Sequence, residues 1–443
     1  MSQNLPAQEF LDYFYKAEKP QDQWKLGLEQ EVIGFDIETL TRLEYSKHIQ
    51  PILNGFAERF GWTPYSEGGN IIGLKKDGSS ITLEPGAQLE LSLKPIGGLA
   101  GVELELNTYR EQLKILSTEQ SVLWLSMGYD PFSNVDDIGL VPKKRYEIMA
   151  DYLPAFGEGA RHMMRMTATA QANFDYSSEE DMRNKMKVAV ALSSVMSIIF
   201  ATSPIRNSEL SGCKSSRNWT WRNLDSRRTG FLDFVFEEGF GYQRYIDYVS
   251  QIPMMVLERE DGTQDLRDTN FVDYYHKGKN GLTYEKQDWV AQLGGTFPVA
   301  RLRNAIETRT CDAGPVSMLL GQAAFWKGLL YDPEVLLETV AWVESSGIEI
   351  FKKIHERGYL TGFDCLVKDP ECVKILKTAI DLSKKGLEKQ SKAGEESESK
   401  YLDQAFANFE AKESVSDRLI KNYTNSDKKG ILALLEKENL IFA

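Results

Sequence analysis

Polar residues at every second position, with small or apolar ones between them, run from Thr167 to Asp175 and mark the clearest strand pattern in the chain. Side chains at i and i+2 leave a strand on one face. Thr169, Gln171 and Asn173 are therefore expected to offer hydrogen bonds on one side, while Ala168, Ala170, Ala172 and Phe174 pack on the other. Residues 25–36, rich in glycine, β-branched and aromatic side chains, read as a second strand. Ile71 to Leu74 and Ile81 to Leu83 flank Lys76-Asp77-Gly78-Ser79, whose Asp-Gly chemistry predicts a hairpin with a second acidic set on its second strand. Residues 121–127 and 254–257 read as short apolar strands. Residues 299–311 read as one more, with Arg303, Ala305, Glu307 and Arg309 sharing a polar face.

Helical periodicity covers residues 7–16, 102–117, 143–152 and 242–248. Ser177 and Glu180 have capping-box spacing and open a helix running toward Thr202. Its apolar part, 188–205, nears membrane-spanning length. Ser193, Ser194, Ser197, Thr202 and Ser203 make it a buried helix instead. Residues 207–230 read as an irregular loop holding Arg217, Arg222, Arg227 and Arg228 among Trp219 and Trp221. Everything beyond Pro315 is helical in pattern, apart from a charged low-complexity loop at 391–399. Strands scattered among helices without βαβ spacing predict an α+β fold around an antiparallel sheet. No repeat or linker divides the chain, so residues 1–443 are expected to form a single domain with a mostly helical part from about 315.

Composition narrows the function. The 42% hydrophobic and 26% charged fractions are those of a globular protein with an ample core. A net charge of -13 argues against nucleic acid as a partner. Cys213, Cys311, Cys365 and Cys372 lack the paired spacing of a zinc site. Reduced thiols, together with a start that has no basic cluster followed by an apolar run, predict a cytoplasmic protein outside the membrane.

The usual phosphate loop, dinucleotide fingerprint, zincin motif and hydrolase elbow are all missing, and none of the four histidines pairs with a nucleophile. Acids stand at strand spacing instead: Glu29 with Glu31, Glu84 with Gln88 and Glu90 following, and Glu307 two before Arg309. A lone Glu-x-Glu is ordinarily a solvated sheet face. Three such sets beside a Thr/Gln/Asn face favour a floor for Mg²⁺, or Mn²⁺, which bridges ATP phosphates. The arginine loop reads equally as a solvated basic surface or as capture of carboxylate or phosphate.

Longer stretches go further. Leu83-Glu84-Pro85-Gly86-Ala87-Gln88-Leu89-Glu90-Leu91-Ser92 resembles the matching segment of the plant-type glutamate-cysteine ligases. The likeness continues through Pro142-Lys143-Lys144-Arg145-Tyr146-Glu147-Ile148-Met149, residues 171–179, Arg227-Arg228-Thr229-Gly230 and residues 324–332. The resemblance implies a glutamine-synthetase-like fold, a curved antiparallel sheet surrounded by helices whose concave face takes Mg²⁺ and ATP. It implies ligation of L-glutamate to L-cysteine through a γ-glutamyl phosphate, the first step of glutathione biosynthesis. By the same resemblance Glu29, Glu31, Glu84, Glu90 and Glu307 face the metal, with Glu31 and Arg309 catalytic. Arg145 and Arg217 hold glutamate, with Thr169 and Gln171 facing it. The plant regulatory cysteines match Glu103 and Leu320 here, and residues 258–279 contain no cysteine, so that redox scheme is not expected. A same-fold ligase using another amine is the nearest competing reading. A non-catalytic glutamate- or nucleotide-binding protein is the other, and retention of every acid and of Arg309 counts against it.

Overall fold

The computed structural model describes residues 7–259, 262–364, 369–391, 396–424 and 427–443. Its organising element is the strand β1 (Leu26–Asp36), whose two faces differ. Leu28, Gln30 and Val32 are buried on one side, while Glu29 and Glu31 stand half-buried on the other. The remaining strands of the main sheet are β2 (Thr63–Glu67), β3 (Asn70–Lys76), β4 (Ser79–Leu83), β5 (Leu89–Ser92), β6 (Val122–Leu125), β7 (Thr169–Phe174), β8 (Ala300–Leu302) and β9 (Ile306–Asp312). They hydrogen-bond in the order β8-β9-β7-β1-β5-β4-β3-β2, and β6 pairs with the far half of β1. Every pairing is antiparallel.

The back face is apolar: Leu28, Val32, Ile81, Leu83, Leu89, Leu91, Ala170, Ala172, Phe174 and Ile306 are all buried. Helices Glu179–Ile199 and Val316–Leu330 cover it. Burial of this kind, at roughly 25 cal/mol per Å² of apolar surface, commits the polar edges of the same strands to the opposite face. A third helix, Pro370–Gln390, crosses Val316–Leu330 where Gly328 meets Gly386, and a Cβ on Gly386 would lie 1.8 Å from the Gly328 carbonyl oxygen. The chain end returns to the sheet, with the Trp124 amide donating to the Ala443 carbonyl at 2.8 Å.

The predicted hairpin is present, with Asp77 and Gly78 both at positive φ as its type requires. Several expectations are corrected. The second acidic set does not lie on one strand. Glu84 follows β4, a turn with Ala87 at φ 67° reverses the chain, and Glu90 lies on β5. Residues 299–311 form a hairpin rather than one strand. Arg303 and Ala305 lie in its turn, and Arg301 stands on the polar face opposite Glu307, although the Arg303 side chain still lines the same cavity. The N-cap of helix Glu179–Ile199 is Ser178, one residue later than the spacing suggested, because Asp181 both donates its amide to Ser178 and accepts from the Ser177 amide. The arginine segment is not wholly irregular, since Ser216–Arg222 is a short helix. Edge strand β2 was missed; its Pro64 argues against an interior strand and suits an edge. Cys213 and Cys311 are buried free thiols, Cys372 is buried, and Cys365 lies outside the described residues. No helix among the described residues is long and apolar enough to cross a membrane.

Candidate active site

The polar face of the sheet floors a cavity of about 740 Å³. Register sets its chemistry. Glu31 stands directly opposite Glu90, and Glu90 opposite Thr82. The next pair in that row is Gly73 and Tyr65, where a glycine is needed because a Cβ would lie 2.3 Å from the Tyr65 hydroxyl. Glu29 stands opposite Gln171 on one side and Ser92 on the other. Like charges facing each other across strands destabilise a sheet. Few local donors relieve them here. Glu31 accepts from the Thr169 amide at 3.0 Å, Glu29 from Asn173 at 2.9 Å and Glu90 from Thr82 at 2.8 Å. Burial, followed by repulsion from Glu307 and Glu90, pushes Glu29 up to about 8. Burial and the neighbouring Glu84 push Glu90 up to about 7. Burial together with Glu84 and Glu90 holds Glu31 well above the ordinary carboxylate range.

At the β9 end the charges are balanced. Arg301 grips Glu307 with two hydrogen bonds, Nε to Oε2 at 2.9 Å and an Nη to Oε1 at 3.0 Å. Its other Nη donates to the carbonyls of Gly294 and Thr296. Arg309 also contacts Glu307 and donates to Gln171 at 2.8 Å. Burial alone would raise Glu307, but Arg301 and Arg309 hold it at about 2. Glu307 is thus an arginine clamp and does not share the uncompensated charge of the other acids.

Arg217 projects from helix Ser216–Arg222 and is only 2% exposed. One Nη donates to the Arg309 carbonyl at 2.8 Å, while its Nε has no protein partner. Burial lowers its pKa to about 10, against the pull of Asp312 and Glu31. Asp312 fastens this corner. It accepts from the Thr202 amide and from the hydroxyls of Ser203 and Ser215, and Ser215 is the N-cap of the Arg217 helix.

Of the expected residues, Glu29, Glu31, Glu84, Glu90, Arg145, Thr169, Gln171, Arg217 and Arg309 all line the cavity. Arg145 lies at the rim, paired with Glu258 at 3.2 Å. The Thr169 hydroxyl donates to the Cys311 carbonyl. Trp221 lines the cavity, whereas Trp219 packs beneath Arg206 and against His162. Arg227 and Arg228 clamp Asp225, and Arg222 donates to the His355 carbonyl. Arg301, Asp312 and Lys143 were not picked out from the sequence. Only Arg301 had a signal, since reading 303–305 as a turn places it opposite Glu307.

Among the described residues, no three acid, histidine or cysteine side chains already form a metal cage. The reason is visible in the hydrogen bonds, which turn the carboxylates of Glu29, Glu31 and Glu90 onto protein donors. Their chemistry still fits a hard divalent cation. They are oxygen donors, recessed and mutually repelling, with no cation at ion-pairing distance from Glu29, Glu31 or Glu90 among the described residues.

The profile of glutamate-cysteine ligase family 2 matches residues 25–404. A chloroplastic glutamate-cysteine ligase B of Oryza sativa subsp. japonica is 37% identical over 399 residues, covering 88% of this chain and 79% of the rice protein. The chloroplastic glutamate-cysteine ligase of Medicago truncatula is 35% identical over 390 residues, 87% of this chain and 76% of that one. The crystal structure of a Francisella tularensis glutamate-cysteine ligase in complex with AMP superposes with a TM-score of 0.55 at 14% identity, covering 94% of this chain and 88% of that one. That likeness shows the glutamine-synthetase-like fold. The plant relatives are chloroplastic proteins, which overturns the expectation of a cytoplasmic location.

Proposed function

The chain belongs to glutamate-cysteine ligase family 2, and from that premise we infer that it joins the γ-carboxylate of L-glutamate to the amine of L-cysteine at the expense of ATP. The product is γ-glutamylcysteine, and the reaction is the first step of glutathione biosynthesis. The observation that carries this reading is the cavity's division between uncompensated acids on β1 and β5 and a clamped arginine pair on β8 and β9. Such a site suits a polyphosphate that arrives with its cations and transfers a phosphoryl group beside a guanidinium.

The γ-carboxylate oxygen of glutamate attacks the γ-phosphorus of ATP, and the bond to the β-phosphate oxygen breaks to release ADP. The cysteine amine then attacks the γ-carbonyl carbon, loses a proton and expels phosphate. Arg309, held in line by Glu307 and Gln171, offsets charge on the moving phosphoryl oxygens. Arg217 and Arg145 hold glutamate, and the β7 face carrying Thr169 and Gln171 lies against it. Trp221 narrows the cavity and limits hydrolysis of the acyl phosphate. Glu29, Glu31, Glu84 and Glu90 would hold one or more Mg²⁺, with Mn²⁺ an alternative, and the cation would supply further charge neutralisation at the phosphates. Glu307 serves as the anchor of Arg301 and Arg309.

The test follows ADP release with Mg-ATP and glutamate while cysteine and a panel of other amines are supplied in turn. Turnover that depends on cysteine and yields γ-glutamylcysteine is expected. Turnover with another amine and none with cysteine would refute the assignment.

A further inference from the structure

Lys143 is a cation of the cavity wall that the reaction described above leaves without a task. Its Nζ donates to the Leu83 carbonyl at 3.2 Å and to the Tyr146 hydroxyl at 3.3 Å. The Tyr146 hydroxyl itself donates to the same carbonyl at 2.7 Å, which fixes the direction of the second bond. An ammonium has three donors, so one remains. Among the other cations of the cavity, Arg217 has the glutamate task given above and Arg303 lies in the β8–β9 turn at the Glu307 end of the sheet, away from β4, while the rest are engaged. Arg228 is held by Asp225, Arg301 and Arg309 by Glu307, and Arg145 by Glu258. No carboxylate among the described residues forms an ion pair with Lys143.

Position adds a second argument. Leu83 ends β4, so Lys143 sits on the β4 side of the acidic floor, and Arg309 on β9 lies beyond β1 and β7 on the other side. A nucleophile entering from the β4 side reaches an acyl group whose phosphate faces Arg309. The ligation brings together two amino acids. With Arg145 and Arg217 on glutamate, the α-carboxylate of the acceptor still needs a cation.

We propose that Lys143 binds the α-carboxylate of the acceptor and so selects an amino acid over a simple amine. Met149 and Met163, which line the same cavity, offer the apolar, polarisable surface that a thiol side chain takes. This inference rests on the ligase reading.

The experiment compares kcat/KM for cysteine and for cysteamine, which is cysteine without its carboxylate, at saturating Mg-ATP and glutamate. Lys143→Met is expected to lower the cysteine value about 10- to 100-fold, the size of one charge-assisted hydrogen bond, and to shrink the cysteine-to-cysteamine ratio by the same factor. Lys143→Arg is expected to keep most of that ratio. Lys143→Gln removes the charge while keeping a donor for Leu83, and it carries the same test if the methionine variant does not fold. Equal losses with both acceptors, or a change confined to the KM for ATP, would overturn the proposal while leaving the ligase reading intact. Absence of cysteine turnover in the wild type would overturn both.

Discussion

Replacing Glu31 with glutamine in the metal-free protein should stabilise it as it disables it. Glu31 faces Glu90 across adjacent strands, and Glu29 follows on the same face. With folded-state values near 8 for Glu29 and 7 for Glu90 against an ordinary 4.5, the native state holds protons that the unfolded chain has released. Stability therefore falls as pH rises from about 4.5 toward these folded values and levels off above them. Each such proton contributes a slope of about 1.4 kcal/mol per pH unit at most. At roughly 2.1 cal/mol/K per residue, unfolding 443 residues carries an entropy of about 0.9 kcal/mol/K, so one proton corresponds to about 1.5 °C per pH unit. Glu31→Gln removes one of the groups that hold a proton in the folded state and release it on unfolding, so stability of the variant falls less steeply with pH. Its melting temperature should pull ahead of the wild type by about 2 °C between pH 5.5 and 7, in chelator. Magnesium at a hundred times its Kd should raise the wild type by about 2.7 kcal/mol, or 3 °C, and the variant much less. Turnover of the variant should fall by at least about 10²-fold. Scanning calorimetry with and without Mg²⁺ checks this. A difference between the proteins that does not change with pH, or an unchanged magnesium response, would show that these acids do not form a cation site.

Three other outcomes are expected. Arg217→Ala should raise the KM for glutamate by about 10- to 100-fold with little change for ATP, since a charge-assisted hydrogen bond contributes about 1.5–3 kcal/mol; an effect on ATP alone would move this arginine to the nucleotide. Arg301→Ala removes two bonds to Glu307 and two to backbone carbonyls, and should cost about 3–5 kcal/mol, lowering the melting temperature by about 3–5 °C along with kcat. A variant melting with the wild type would show that the clamp does not hold this end of the sheet. Gly386→Ala forces a methyl group against Gly328 far from the cavity, and should destabilise by about 1–3 kcal/mol while the folded fraction keeps wild-type KM values.

Much of the site was legible because a strand's period of two is insensitive to what pairs with it. Glu29, Glu31, Thr169 and Gln171 were assigned to a polar face without knowledge of any neighbour, and they share one. The hairpin turn at 76–79 was placed correctly, and what failed were two other places where a strand stops. Reading 299–311 as one strand put Arg303 on the acidic face and missed Arg301, because the turn at 303–305 lacks the glycine or proline that ordinarily marks one. The turn after Glu84 is signalled by Pro85-Gly86, a dipeptide that marks turns, but not by Ala87, whose positive φ its residue type does not announce. Arg217 was found by resemblance rather than pattern, because a seven-residue helix is too short to display a period. Asp312 and Lys143 act through contacts 97 and 60 residues away in sequence, which no local pattern encodes.

The same sheet face holds two kinds of glutamate, and the difference bears on what each half of the cavity binds. Glu307 and Glu31 both come from central strands and both stand over a buried back face. One has two guanidiniums at hydrogen-bonding distance and is held at about 2; the other has an opposed glutamate and is pushed well above its ordinary range. A site that only needed to be stable would have paired the second as it paired the first, since an arginine on β5 in place of Glu90 would face Glu31 directly. Leaving Glu29, Glu31 and Glu90 without a protein cation costs stability in the empty state, and that cost is recovered only when a cation arrives from solution. At the β9 end the clamped arginines retain donors for an anion. On the proposed reading the nucleotide's phosphates, arriving with their metal, would span the two halves, so ordering of the site and binding of the metal-nucleotide are expected to be one event.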